Sequence, residues 1–174
     1  MTNRAILATC FAVLLTGGCL KSSYATTLVP TQLRGLSRVA LSIDTEGDVD
    51  ESLRVRLNSA VTRAVLSQLD EAGLAHDSKS AETLEATIKI RYLNLDGNTS
   101  AAACLVSVRL KEPVRLLRDA ALVVPDGGGL TWWADLVFAS DRDHLESQVS
   151  DAVEKVLTDF LAGWKLENRA SKAP

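Results

Sequence analysis

The chain has 174 residues with 19 basic and 22 acidic side chains, a formal net charge of -3. That balance argues against a nucleic-acid partner and against a polybasic membrane patch. With 3 cysteines and 2 histidines, none at metal-ligand spacing, neither a metal site nor any other cofactor is expected.

The first eighteen residues have the three parts of an export signal. Met1 to Arg4 carries one positive side chain plus the amino terminus, Ala5 to Leu15 is mainly apolar, and Thr16-Gly17-Gly18 is small. The apolar run is too short to cross a bilayer comfortably as a permanent helix, which takes roughly 20 residues. Cys19 follows directly, and the stretch Leu14-Leu15-Thr16-Gly17-Gly18-Cys19 resembles the lipobox of bacterial lipoproteins. Thr16 stands where that family prefers Leu. The resemblance implies cleavage before Cys19, attachment of a diacylglycerol to its sulfur and acylation of its new amino group. Several chains hold durably where a single one holds weakly. Export without lipidation, and retention as an uncleaved anchor, are the alternatives.

Loss of residues 1–18 removes Arg4, leaving 18 basic against 22 acidic side chains. About 156 residues remain, enough for one domain with its own core. No second long apolar run follows, so the membrane is expected to be met through lipidated Cys19 alone. Residues 19–35 are small and polar around Pro30 and read as a lipidated tether. A single domain is expected over 36–165, with a polar tail over 166–174.

Within that domain Val39, Leu41 and Ile43 alternate on a first strand. Thr45 to Asp48 reads as a turn, and Asp48 with Glu51 as a capping pair for a helix. Leu53, Leu57, Ala60, Val61, Ala64, Val65 and Leu69 form its apolar stripe, and Gly73 with Leu74 reads as a Schellman ending. A second strand carries Leu84, Ala86, Ile88, Ile90 and Tyr92 on one face, with Lys89 and Arg91 on the other. Asp96-Gly97-Asn98 signals a turn. The partner strand places Ala102, Cys104, Val106, Val108 and Leu110 inward, with Ser107, Arg109 and Lys111 outward. Cys104 is the one thiol left in the mature domain, and its phase predicts burial.

Val114 to Leu117 continues this strand or begins another. A Gly-rich loop is expected up to Gly129, and Leu130 to Phe138 reads as the last strand. Asp143 with Glu146 suggests a second cap. Leu145, Val149, Ala152, Val153, Val156, Leu157, Phe160 and Trp164 then mark a long amphipathic helix. The order β-α-β-β-β-α predicts an α+β fold: an antiparallel sheet of about four strands with two helices packed on one face.

Signal, capped first helix, hairpin at Asp96-Gly97 and closing helix together resemble small Gram-negative envelope lipoproteins, of the LPS-assembly and ABC-transport auxiliary kinds. The resemblance rests on the order of elements over most of the mature chain. It implies a non-enzymatic component of an envelope machine, with an envelope protein as partner. Leu20 is not the Asp that retains lipoproteins at the inner membrane in enteric bacteria, so that rule implies the outer membrane, periplasmic side.

No catalytic residue is assigned. His76 and His144 fall in turns, and Asp141, Asp143 and Glu146 sit where acids complement a helix dipole. Asp126 to Gly129 lacks the Gly-Lys-Ser/Thr ending of a phosphate loop. The candidate partner-binding residues are Trp133, Lys89, Arg91, Arg109 and Lys111. Neighbours on a strand point to opposite faces, and Trp132 is in phase with Leu130, Ala134, Leu136 and Phe138. Trp133 therefore falls on the open side, unless the 120–129 loop or the tether covers it. The four basic residues could meet anionic lipid or glycan, although solubility explains them equally well. Two functions follow: a binding or assembly component, or a carrier or sensor of a small or lipidic ligand.

Overall fold

The computed structural model describes residues 23–27, 33–95, 98–116 and 119–169, so Cys19 and the signal lie outside the described residues. The elements are β1 (Ser23–Thr27), β2 (Arg38–Gly47), α1 (Glu51–Ala72), β3 (Ala75–His76), β4 (Thr83–Leu95), β5 (Asn98–Leu116), β6 (Asp119–Asp141) and α2 (Leu145–Arg169). Among the described residues the fold is α+β with two helices, as the sequence predicts.

The sheet is larger than expected and mixed. Its order is β1-β6-β5-β4-β2-β3, with the two-residue β3 at one edge. β4, β5 and β6 pair antiparallel, but β2 runs parallel to β4, Leu41 beside Leu84 and Ile43 beside Ala86. Parallel neighbours need a long crossover, and the 22 residues of α1 supply it.

Helix α1 buries Leu53, Leu57, Val61, Val65 and Leu69, one residue per turn. Its cap is Asp50, whose carboxylate accepts from the Leu53 N–H at 2.7 Å. The expected cap Asp48 instead meets Arg91 at 3.0 Å, because β2 runs on through Gly47 and delays the helix. Gly47 has φ 110°, and a Cβ there would lie 2.0 Å from the Ile90 carbonyl oxygen. Only glycine fits that crossing. At the other end Gly73 has φ 80°, and the Leu74 N–H donates to Leu69 O at 3.0 Å while Leu74 itself is buried. That is the Schellman ending anticipated.

Before α2, Asp141 rather than Asp143 organises the turn. Its carboxylate accepts from the His144 N–H at 2.8 Å and meets the His144 ring at 2.7 Å. Glu146 turns away to Arg56, 2.6 Å distant. The two helices pack on each other, and α2 packs on β5 and β6. Phe160, fully buried, meets Trp132 edge-on with ring centroids 5.0 Å apart. Cys104 is buried in the same core, and burial pushes its thiol up to about 11, well out of the reactive range.

Three stretches are more ordered than their composition suggests. Residues 23–27, read as tether, form an edge strand on β6 with Ser23 beside Val137 and Thr27 beside Trp133. The expected Gly-rich loop is the first part of β6, and β5 continues to Leu116 to pair with it, Val114 beside Val124. α2 runs on to Arg169, into the expected polar tail. Its last turns grip the segment before β2. Glu167 accepts from the Leu33 N–H and Asn168 from the Gly35 N–H, both at 2.8 Å, and Trp164 Nε1 donates to Leu36 O at 2.7 Å. Leu33 and Leu36 are buried. The turn expected at Asp96-Gly97 lies outside the described residues.

Candidate functional site

The helices cover one face of the sheet and leave the other open. In β4 and β5 the pleat sends Glu85, Thr87, Lys89 and Arg91, and Leu105, Ser107, Arg109 and Lys111, to the open side. Cross-strand register sets Glu85 beside Arg109 and Arg109 beside Trp133.

The two tryptophans separate as their phase predicts. Trp132 is buried and Trp133 is half-buried on the open face. Leu130 departs from that prediction. Register passes from Leu110–Trp132 to Lys111–Leu130, so Thr131 is an extra residue in β6. A bulge of this kind reverses the phase of what precedes it. Leu130 is consequently exposed, on the same side as Trp133. Exposed Val137 lies on this face as well, beside Leu105 of β5.

The four basic residues do not gather into one patch. Lys89 and Arg109 lie on rows four residues apart, about 13 Å along the strands. Lys89 meets Glu46 at 2.9 Å, Arg91 meets Asp48 at 3.0 Å and Lys111 meets Glu85 at 2.8 Å. Three of the four charges are thus locally balanced. Arg109 differs: its Nε donates to Ser107 Oγ at 3.2 Å, and among the described residues no carboxylate lies within ion-pairing distance.

Ser107 in turn donates to Asp135 at 2.6 Å and is only 2% exposed, although it lies on the open face. A serine on the solvent side of an alternating strand gives no signal of burial. Arg109, Ser107, Asp135 and Trp133 therefore form a small ordered centre that the sequence did not reveal beyond Trp133 and Arg109. The centre offers an aromatic surface beside a guanidinium that, among the described residues, is held by one nitrogen and leaves the rest of its donor fork available.

Elsewhere, two depressions lie at opposite ends of the sheet. One of about 450 Å3 includes Asp50, Arg56, Tyr92, Arg142 and Asp143, with Arg142 5.8 Å above the Tyr92 ring centroid. The other, about 380 Å3, includes Arg34, Arg38, Glu82 and Glu112. Burial and neighbouring Glu82 raise the Glu112 carboxyl, opposed by a hydrogen bond from Thr131. Among the described residues no three His, Cys, Asp or Glu side chains are grouped to hold a metal ion. No helix there is long and apolar enough to cross a membrane.

No family model matches the chain, and no curated protein matches it either. Solved structures of similar shape include a PDZ domain protein from Parabacteroides distasonis, at 12% identity and TM-score 0.52, covering 88% of this chain and 39% of that one. They also include the PelC dodecamer from Paraburkholderia phytofirmans, at 18% identity and TM-score 0.48, covering 79% of this chain and 96% of that one. A minor lipoprotein from Acinetobacter baumannii is similar at 12% identity and TM-score 0.42, covering 73% and 94%. At these identities the likeness concerns the fold alone.

Proposed function

We propose that this protein is a lipid-anchored component of the cell envelope, held at the outer membrane through Cys19 and facing the periplasm, whose work is non-catalytic binding or assembly. The observation that carries the binding role is the centre at Trp133 and Arg109: a half-buried indole beside a guanidinium without a carboxylate partner among the described residues. Trp and Arg are the side chains most often found to dominate protein interfaces. The lipobox-like sequence supports the anchor. An envelope protein with an acidic contact suits the site, since the other three candidate cations are already balanced and Arg109 is left to recognise it.

A carrier or sensor would need a deep apolar pocket between sheet and helices. The two depressions described sit at the ends of the sheet and are lined mainly by charged residues, which favours the binding component.

The test is expression with the native signal in a Gram-negative host, crosslinking of intact cells and recovery from the membrane fraction. Wild type is expected to carry palmitate and to enrich one envelope protein. Cys19→Ala should release the chain from the membrane, and Trp133→Ala should leave it anchored while recovery of the partner falls at least about tenfold, the size of a 1.4 kcal/mol contact. An anchored wild type that enriches nothing, or a partner indifferent to Trp133→Ala, refutes the binding role.

A further inference from the structure

Two fixed points determine how the N-terminal segment leaves the domain. Ser23 is held beside Val137 of β6, and Leu33 is gripped by the last turns of α2. β1 therefore enters at the end of the sheet where β6 finishes at Asp141, β2 finishes at Gly47 and both helices begin. It runs toward the end where the helices finish and the β5–β6 ribbon projects.

Cys19 precedes Ser23 by four residues, and four steps of 3.8 Å reach at most about 15 Å. Given lipidation of Cys19, on which this inference rests, we propose that the bilayer is met by the helix-start end of the domain, close to the Ser23–Val137 corner, while the β5–β6 ribbon points away. Were the first fixed point at Leu33 instead, fourteen residues of leash would allow about 50 Å of freedom and no preferred end. Pairing of β1 converts a long tether into a short one.

The near end mixes basic, aromatic and acidic side chains, since the larger depression there is lined by Arg56, Arg142 and Tyr92 together with Asp50, Asp143 and Glu146. Arg142 lies over the Tyr92 ring, and both line the larger depression. A tyrosine has an apolar body and a polar tip, and a guanidinium pairs with phosphate oxygens in a forked geometry. The far end is about 33 Å away along the 22 residues of α1. There the smaller depression and the ribbon face the periplasm. Val137 is 18 residue steps from Asp119 along β6, so the ribbon tip stands up to about 60 Å from the corner. The Trp133 centre lies between the two ends, clear of the membrane and open to a partner.

The experiment uses the acylated full chain, purified from membranes and reconstituted in phosphatidylethanolamine and phosphatidylglycerol vesicles that carry a nitroxide on the headgroup. A fluorophore is placed at Asp143→Cys, at the near end, or at Lys79→Cys, at the far end. Buried Cys104 does not compete for the label. Quenching at position 143 is expected to exceed that at 79 by at least about threefold, given ends about 33 Å apart. Inserting ten Gly/Ser residues between Leu20 and Lys21 should abolish most of that difference. Equal quenching at both positions, stronger quenching at 79, or a difference unchanged by the insertion would overturn the orientation. Palmitate analysis of the same sample separates the failures. A chain without palmitate overturns anchor and orientation together, and an acylated chain with equal quenching overturns the orientation alone.

Discussion

Along β5, Cys104, Val106, Val108 and Leu110 are at most 1% exposed on the helix-covered side, while Arg109 and Lys111, one residue away, reach solvent on the other. The same strands thus build two surfaces under different constraints. On the covered face nearly every position is apolar and must fit its neighbours, since packing is close to crystalline density, and the buried polar Thr45 and Ser140 each make a hydrogen bond. On the open face polarity suffices for folding, and particular chemistry such as Arg109 beside Trp133 is free to serve something else. A substitution should therefore read as lost stability on the first face and as lost binding on the second.

Phe160→Ala should show the largest effect. It empties a fully buried site against Trp132 and should cost about 3–5 kcal/mol in chemical denaturation. A cost below about 1 kcal/mol would mean that the core is not packed this way. Gly47→Ala comes next, because a Cβ there collides with the Ile90 carbonyl. At least about 2 kcal/mol should be lost at this one position of the β2–β4 pair.

The two candidate caps of α1 make a closer comparison. Asp50→Ala should cost about 1 kcal/mol. Asp48→Ala, which breaks only a surface ion pair, should cost under about 0.5 kcal/mol, and a reversal of the two would move the helix start. On the open face, Ser107→Ala should cost about 1 kcal/mol while freeing Arg109 to move, so partner recovery should change more than thermal stability does.

The smallest effect is expected at Glu112. Its carboxyl is raised in the folded chain, chiefly by burial. The unfolded chain therefore loses this proton first, and stability falls as pH climbs from the ordinary glutamate range through the raised value. Glu112→Gln should be slightly more stable than wild type at neutral pH, and the difference should vanish in acid. A difference that grew in acid would reverse the sign of the shift.

The covered face was legible because helix and strand periods mark it twice. The stripe of α1, the inward phases of β4 and β5, and the stripe of α2 from Leu145 to Trp164 all follow from spacing. The direction of β2 did not follow, since alternation is the same whether its neighbour runs parallel or antiparallel. The edge strand Ser23–Thr27 is short and lacks an apolar pattern, and Gly127 to Gly129 carries the composition of a loop although its backbone pairs. On the open face, Trp133 could be assigned by phase from Trp132. Leu130 could not, because nothing in the sequence announces the extra residue Thr131. The ion pairs of Lys89, Arg91 and Lys111 depend on cross-strand or long-range neighbours, so the sequence shows four cations where the fold leaves one unbalanced among the described residues.

The most direct measurement is photo-crosslinking in intact cells from a benzoylphenylalanine placed at position 133, on the open face, or at position 55, where Val55 is 54% exposed on α1. A discrete adduct with one envelope protein from position 133, and none from 55, is the predicted result. An adduct from position 55 alone, or the same products from both, would contradict the assignment of binding to the open face.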